Sequence, residues 1–251
     1  PMVYIFSMPK FISLRLKNFR NIERLGAQFH PAFNLITGHN GAGKSNLIEA
    51  LFFLSVGKSN RGATSPQLIR FESEKGSAEA EFIADETTHI LRVELEKEGK
   101  AFYLDETKVK GPAEIFGTIG IVSFSPDSLW ISSGPPVYRR RFMNMLLSQT
   151  DINYFIDIQR YTRVLAQRNA YLKSGAADRS FLAILTESLV EPGARIRQKR
   201  AEFSKKFAPL LKQNLENLTE MAEEMELSYR DGETGSLPDW TETLKSDFQR
   251  A

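Results

Sequence analysis

Phe33-Asn34-Leu35-Ile36-Thr37-Gly38-His39-Asn40-Gly41-Ala42-Gly43-Lys44-Ser45-Asn46-Leu47-Ile48-Glu49-Ala50-Leu51 is the stretch from which the fold is read. Gly38, Gly43, Lys44 and Ser45 fill the fixed places of a G-x-x-x-x-G-K-[ST] loop. Ahead of it, Phe33, Leu35 and Ile36 predict a short buried strand; behind it, Leu47, Leu51 and Leu54 recur at helical spacing. Strand, glycine loop and helix together suit phosphate. Glycines let successive N–H groups turn toward one anion, and the helix N-terminus adds partial positive charge. Lys44 predicts a mobile cation for terminal phosphates and the Ser45 hydroxyl a ligand for Mg²⁺. The expected ligand is a nucleoside triphosphate.

Outward from the loop, Phe11–Leu16 alternates apolar and polar residues as a half-buried strand does, and leads into the polar turn Lys17-Asn18-Phe19-Arg20-Asn21. Ala27-Gln28-Phe29 predicts a second strand. The helix after the loop is expected to stop at Gly57, followed by a basic loop, Lys58-Ser59-Asn60-Arg61-Gly62. Ala78–Ile83, His89–Glu96 and Ala101–Leu104 predict strands, the last two a hairpin, and Ile119–Phe124 a further strand. Beyond Gly134-Pro135-Pro136 the pattern turns helical: about 138–149, then from an N-cap at Thr150 or Asp151 to Ser174-Gly175, then 179–190. Pro192-Gly193 predicts a break, with a long helix after it that Pro209 should kink. Glu226–Tyr229 predicts a return to strand.

The chain has 251 residues, no cysteine and no run of eighteen apolar residues, so disulfides, thiolate metal sites and an apolar membrane-spanning helix are excluded. Charge is uneven. Residues 1–137 hold 15 basic and 15 acidic side chains, 138–212 hold 15 and 6, and 213–251 hold 3 and 10. A basic middle segment suggests a polyanionic partner. His30, His39 and His89 lie far apart and show no metal-ligand spacing.

Several stretches together resemble the bacterial RecF recombination-mediator ATPases, whose ABC-type heads are related to those of Rad50 and the chromosome-maintenance proteins. They are Leu16-Lys17-Asn18-Phe19-Arg20-Asn21, the loop and helix from Gly38 to Ala50, Gly57-Lys58-Ser59-Asn60-Arg61, and Phe124-Ser125-Pro126-Asp127. Gly134-Pro135-Pro136, Arg139-Arg140-Arg141-Phe142, Leu147-Ser148-Gln149, Tyr161–Asn169 and Gly193-Ala194-Arg195-Ile196 continue the set. Pro192 departs from it, standing where the family more often has a helix-compatible residue. The family's Ser-Gln-Gly-Gln type signature and its Walker B strand are not found here, and the resemblance places both beyond Ala251. The expected fold is α/β, the N-terminal part of a P-loop NTPase head of ABC type, with an appended α-helical lobe. Its expected division is 1–136 for the head, 137–229 for the lobe and 230–251 for a return toward the head.

The resemblance also implies a site. ATP would lie on Gly38, His39, Asn40, Gly41, Ala42, Gly43, Lys44 and Ser45, with Arg20 and Arg61 reaching it from outside the loop. Ser45 would hold Mg²⁺, and Asp127, near the place of the Q-loop glutamine, would meet the metal or a water. DNA, double-stranded and at junctions with single strands, would meet Arg139, Arg140, Arg141, Arg160, Arg163, Arg195, Lys199 and Lys205. A helix splays three adjacent arginines about 100° apart, so Arg139–Arg141 cannot share one face. RecR- and RecO-type mediators, an ATP-dependent homodimer, a cytoplasmic setting, and DNA repair, replication, recombination and the SOS response complete the implied picture. Hydrolysis without the signature and Walker B is expected to be very slow. The competing expectation is a P-loop small-molecule or nucleotide kinase with a helical lid, which predicts phosphotransfer and no DNA affinity.

Overall fold

In the computed structural model the described residues are 9–115, 118–175 and 178–218, with 227, 229, 241, 242, 245 and 246. The chain divides into two compact units, residues 1–130 and 131–251. That break falls ahead of the Gly134-Pro135-Pro136 punctuation.

The first unit is built on an antiparallel sheet whose strands are β1 (Lys10–Phe19), β2 (Ile22–Gln28), β3 (Lys75–Ala84), β4 (Thr87–Glu96), β5 (Gly99–Leu104) and β6 (Thr107–Val109), in spatial order β2-β1-β3-β4-β5-β6. Alternation decides which face is covered. Leu14 and Leu16, Ala78, Ala80 and Phe82, then Leu91, Val93 and Leu95, all point to one side and are buried, while Arg15, Glu79 and Arg92 point to the other. Helix α1 (Lys44–Val56) lies on the covered side and adds Ala50, Phe53 and Leu54 to the same core. The small side chains of Ala78 and Ala80 give the helix room to lie close to β3. A single turn, α2 (Ser65–Leu68), follows it.

Two expected strands are not strands. Residues 33–36 run outside the sheet, with Phe33 75% and Leu35 76% exposed, and residues 119–124 do the same, with Phe124 83% exposed. Both carry strand-like apolar spacing, but neither takes strand conformation in the sheet. A strand is a property of a pair, so pattern alone does not make one.

The second unit is helical: α3 (Trp130–Ser133, which begins at the unit boundary), α4 (Pro136–Thr150), α5 (Ile152–Lys173) and α6 (Arg179–Leu218). Leu147, Tyr154 and Ile196 form one cluster joining α4, α5 and α6; Val164, Leu185 and Leu189 form another between α5 and α6. Asp151 caps α5 as expected, its carboxylate accepting from the N–H groups of Asn153 at 3.0 Å and Tyr154 at 3.2 Å. The predicted break at Pro192-Gly193 does not occur: α6 is continuous through Pro192 and Pro209. Leu189, Val190, Pro192, Gly193, Ala194 and Ile196 are all buried, and Arg195 spans to Asp157 on α5. Burial on this scale outweighs the hydrogen bond that proline forfeits. The strand expected at Glu226–Tyr229 falls, apart from Leu227 and Tyr229, outside the described residues.

Asp151 serves two partners, the α5 N-terminus and Lys199 Nζ at 2.8 Å. The Lys199 contact, opposed by partial burial and aided by the Tyr154 N–H, holds its carboxyl below the ordinary carboxylate value. A lowered carboxyl stabilises the fold above its ordinary value, and that gain fades as pH falls through the lowered one. Asp151→Ala is therefore expected to cost about 1–2 kcal/mol in urea unfolding at pH 7, and less in acid. A cost that does not change with pH would count against this role.

Candidate phosphate-binding site

The loop from Gly38 to Ser45 curls as the sequence requires. Gly38, Gly41 and Gly43 have φ of 147°, 83° and 99°, a region that side chains disfavour. Gly43 has a second reason to lack a side chain, since a Cβ there would stand 3.1 Å from Asn21 Oδ1 and 3.3 Å from Ile22. The Gly43 carbonyl accepts from the N–H groups of Asn46 at 2.9 Å and Leu47 at 3.0 Å. Among the described residues no backbone carbonyl takes the N–H groups of Gly43, Lys44 or Ser45. Those donors, with the first turn of α1 behind them, are a cradle for an anion. Lys44 Nζ donates to the carbonyls of Gly38 at 2.6 Å and His39 at 2.8 Å, which folds the ammonium over the loop. The Ser45 hydroxyl is exposed beside it. The donor set fits a polyphosphate with its Mg²⁺.

Behind the loop stands a residue that the sequence pattern does not single out. Glu49, on α1, has no exposed surface. Its carboxylate accepts from Arg20 Nη2 at 2.7 Å and Nε at 3.0 Å and from Ser59 Oγ at 2.5 Å, and pairs with Arg61 Nη1 at 3.6 Å. Burial pushes the carboxyl up, but Arg20, Ser59 and Arg61 outweigh it and hold the group below the usual glutamate value. Arg20 sits at φ 56°, a left-handed conformation uncommon outside glycine, and its N–H bonds Leu68 O at 2.7 Å. A left-handed residue persists where its surroundings over-determine it, and here three groups do.

Asn21 and Asn46 are likewise site residues that the sequence pattern does not mark. Asn21 Nδ2 donates to Gly41 O at 2.7 Å, Asn46 Nδ2 to Asn21 Oδ1 at 2.8 Å, and Arg61 Nη1 to Asn46 Oδ1 at 3.1 Å. The β1–β2 turn thereby holds the glycine loop by its backbone. The one available signal is a pair of asparagines, at a turn and after a P-loop serine, which composition cannot distinguish from ordinary polar surface. At the other end of α1, Lys100 Nζ donates to Gly57 O at 2.6 Å over the rings of Phe53 and Phe102, and burial pushes its ammonium pKa down.

Asp127 is exposed on a single 3₁₀ turn, Pro126–Leu129, whose N-cap is Ser125. Among the described residues no group of three or more histidine and carboxylate side chains gathers to hold a metal. Two strand-then-Asp-Glu sequences do occur, at Asp85-Glu86 and Asp105-Glu106. Both are two-residue hairpin turns with φ of 48° and 64°, not the carboxylates of a catalytic strand. Asp105 is occupied there by His89 Nδ1 at 2.7 Å and the Ile90 N–H.

The basic residues of the second unit sort into two kinds. Arg139 Nη1 donates to the carbonyls of Ile131 and Gly134, Arg195 forks onto Asp157 with Glu191 beside it, and Lys199 pairs with Asp151. Arg140, Arg160, Arg163 and Lys205 are exposed, and Arg141 is exposed but has a partner of its own. Arg160 and Arg163, three apart on α5, share a face.

Comparison with known proteins places this geometry. Residues 10–128 match the model of the RecF/RecN/SMC N-terminal domain. The DNA replication and repair protein RecF of Lactococcus lactis subsp. cremoris is 34% identical over 243 residues, covering 96% of this chain. Over nearly its whole length the chain is similar to RecF proteins. RecF of Symbiobacterium thermophilum is 35% identical over 95% of the chain. A solved structure of the recombination mediator RecF–ATP of the RecFOR pathway superposes with TM-score 0.88 at 28% identity, covering 100% of this chain and 69% of its own. The ATPrS form superposes at 0.89, with 29% identity, over 98% of this chain and 68% of its own. The fold is thus that of the part of an ABC-type ATPase head, with a helical lobe, that this chain shares with the RecF structures. The chain spans about 65% of the length of the curated relatives it matches.

Glu49→Ala strands Arg20 in a half-buried site and is expected to lower stability by about 2–3 kcal/mol, the low end for a broken buried pair because Arg20 retains some solvent. For Glu49→Gln the sign with pH is fixed. Its deficit against wild type is largest at pH 7 and shrinks below the ordinary glutamate value of 4.5 as the wild-type carboxyl is protonated. Urea melts at both pH values measure it; a deficit that grows in acid would refute the ion-pair account.

Proposed function

We propose that this chain binds ATP with Mg²⁺ on the Gly38–Ser45 loop and acts in DNA replication, repair and recombination as RecF proteins do. The finer reading is an ATP-gated, dimerising clamp on double-stranded DNA at junctions with single strands. It helps load a recombinase with RecR- and RecO-type mediators, in the cytoplasm. The observation that carries it is the glycine loop: three positive-φ glycines, unclaimed N–H groups at a helix N-terminus and Lys44 folded over them. Lys44 would take the terminal phosphates, the loop N–H groups would orient the chain of phosphates, and the Ser45 hydroxyl would hold the metal. Mg²⁺ bound there would neutralise phosphate charge. The similarity to RecF–ATP supports the choice of nucleotide. A small-molecule kinase is not favoured, since the relatives are RecF proteins.

Lys44→Ala is expected to abolish ATP binding in calorimetry while leaving the thermal unfolding midpoint within a few degrees; undiminished binding would refute the site. For DNA, reversing Arg140, Arg160, Arg163 or Lys205 to glutamate should lower affinity for any duplex sequence, with the salt slope falling by about one for each phosphate left unneutralised. Arg195→Glu and Lys199→Glu should act chiefly on stability, since both cations already face carboxylates. Affinity and slope unchanged by all four exposed reversals would move the DNA site elsewhere.

A further inference from the structure

Arg61 belongs to the loop that leaves the C-terminal end of α1, yet its guanidinium returns to the first turn, where Nη1 donates to Asn46 Oδ1 at 3.1 Å. Asn46 directly follows Ser45, so this cation lies beside the mouth of the glycine loop. Its other hold is the 3.6 Å ion pair with Glu49, and its side chain is 54% exposed. Arg20 is held quite differently. It forks onto the same carboxylate with bonds of 2.7 and 3.0 Å and spends a third donor on Gln67 O at 2.8 Å. A fully buried carboxylate needs a cation, and Arg20 supplies it. Arg61 can therefore leave without stranding the charge.

We propose that Glu49 is a positioning residue that sorts the two arginines, fixing Arg20 as a strut and keeping Arg61 on a loose tether from which it exchanges Glu49 and Asn46 for the terminal phosphate of ATP. The inference rests on the loop being the ATP site and deepens it, because it assigns discrimination between triphosphate and diphosphate to Arg61 under the control of Glu49. A half-exposed ion pair at this separation is weak, whereas forked guanidinium donors meet phosphate oxygens in short charge-assisted bonds. Departure of Arg61 also frees the Asn46 acceptor at one end of the Asn46–Asn21–Gly41 chain, whose other end is the loop's own backbone. The terminal phosphate is thereby felt at the β1–β2 turn.

Binding of ATP and of ADP, measured by calorimetry on wild type, Glu49→Gln, Arg61→Ala and the double variant, tests this. Glu49→Gln is expected to tighten ATP roughly two- to fivefold, the scale of a half-exposed ion pair, to leave ADP unchanged, and to lose its effect when Arg61→Ala is also present. A purely structural role would shift both nucleotides together. An equal effect on ATP and ADP, or one that persists without Arg61, overturns the proposal. Should Glu49→Gln not fold, Asn46→Ala removes the outer tether at a partly exposed position. It is expected to raise the preference for ATP over ADP only while Arg61 is present, and no such shift overturns the proposal. Wild type that binds neither nucleotide overturns the ATP site itself. Wild type that binds both, with a preference indifferent to Arg61→Ala, overturns the sorting alone.

Discussion

A carboxylate without exposed surface must be met by cations and donors, and Glu49 is met by two arginines and a serine from two separate segments. Arg20 comes from the β1–β2 turn, Ser59 and Arg61 from the loop after α1. Their common partner sits on the helix whose first turn is the phosphate cradle. The position of that helix N-terminus against the sheet is therefore set twice, once by apolar packing of Ala50, Phe53 and Leu54 and once by this polar knot. Apolar packing is non-directional and would allow α1 to slide or turn; the bidentate fork from Arg20 has one geometry.

Much of the fold was legible because it rests on local rules. Alternation marked Phe11–Leu16 as a half-buried strand, Thr150 or Asp151 was the expected start of α5, and Gly57 marked the end of α1, where its φ of 67° is the left-handed stop expected of a C-cap. What failed to read was whatever depends on a partner. Residues 33–36 and 119–124 have strand composition without a ladder, and Pro192-Gly193 has breaker composition inside a helix that tertiary burial keeps whole. In each case propensity describes what a segment tolerates, and neighbours decide what it does.

The site divides along the same line. The glycines, Lys44 and Ser45 are contiguous and constrained by backbone conformation, so their spacing carried the chemistry. Glu49, Asn21, Asn46 and Ser59 act through contacts between segments up to 29 residues apart in the numbering, and their residue types are common on any surface. The basic lobe shows the opposite error. Counting charge over residues 138–212 treats every arginine and lysine as available, although Arg195 and Lys199 are neutralised by Asp157 and Asp151 across helix contacts.

The ammonium of Lys44 resting on the Gly38 and His39 carbonyls bears on how a ligand enters. Its oxygen neighbours are already in place, so an arriving phosphate swaps neutral oxygens for anionic ones around the cation. Such a swap changes charge more than order. The loop is less an empty socket than a latch already closed on itself, and filling it requires two carbonyl contacts to let go.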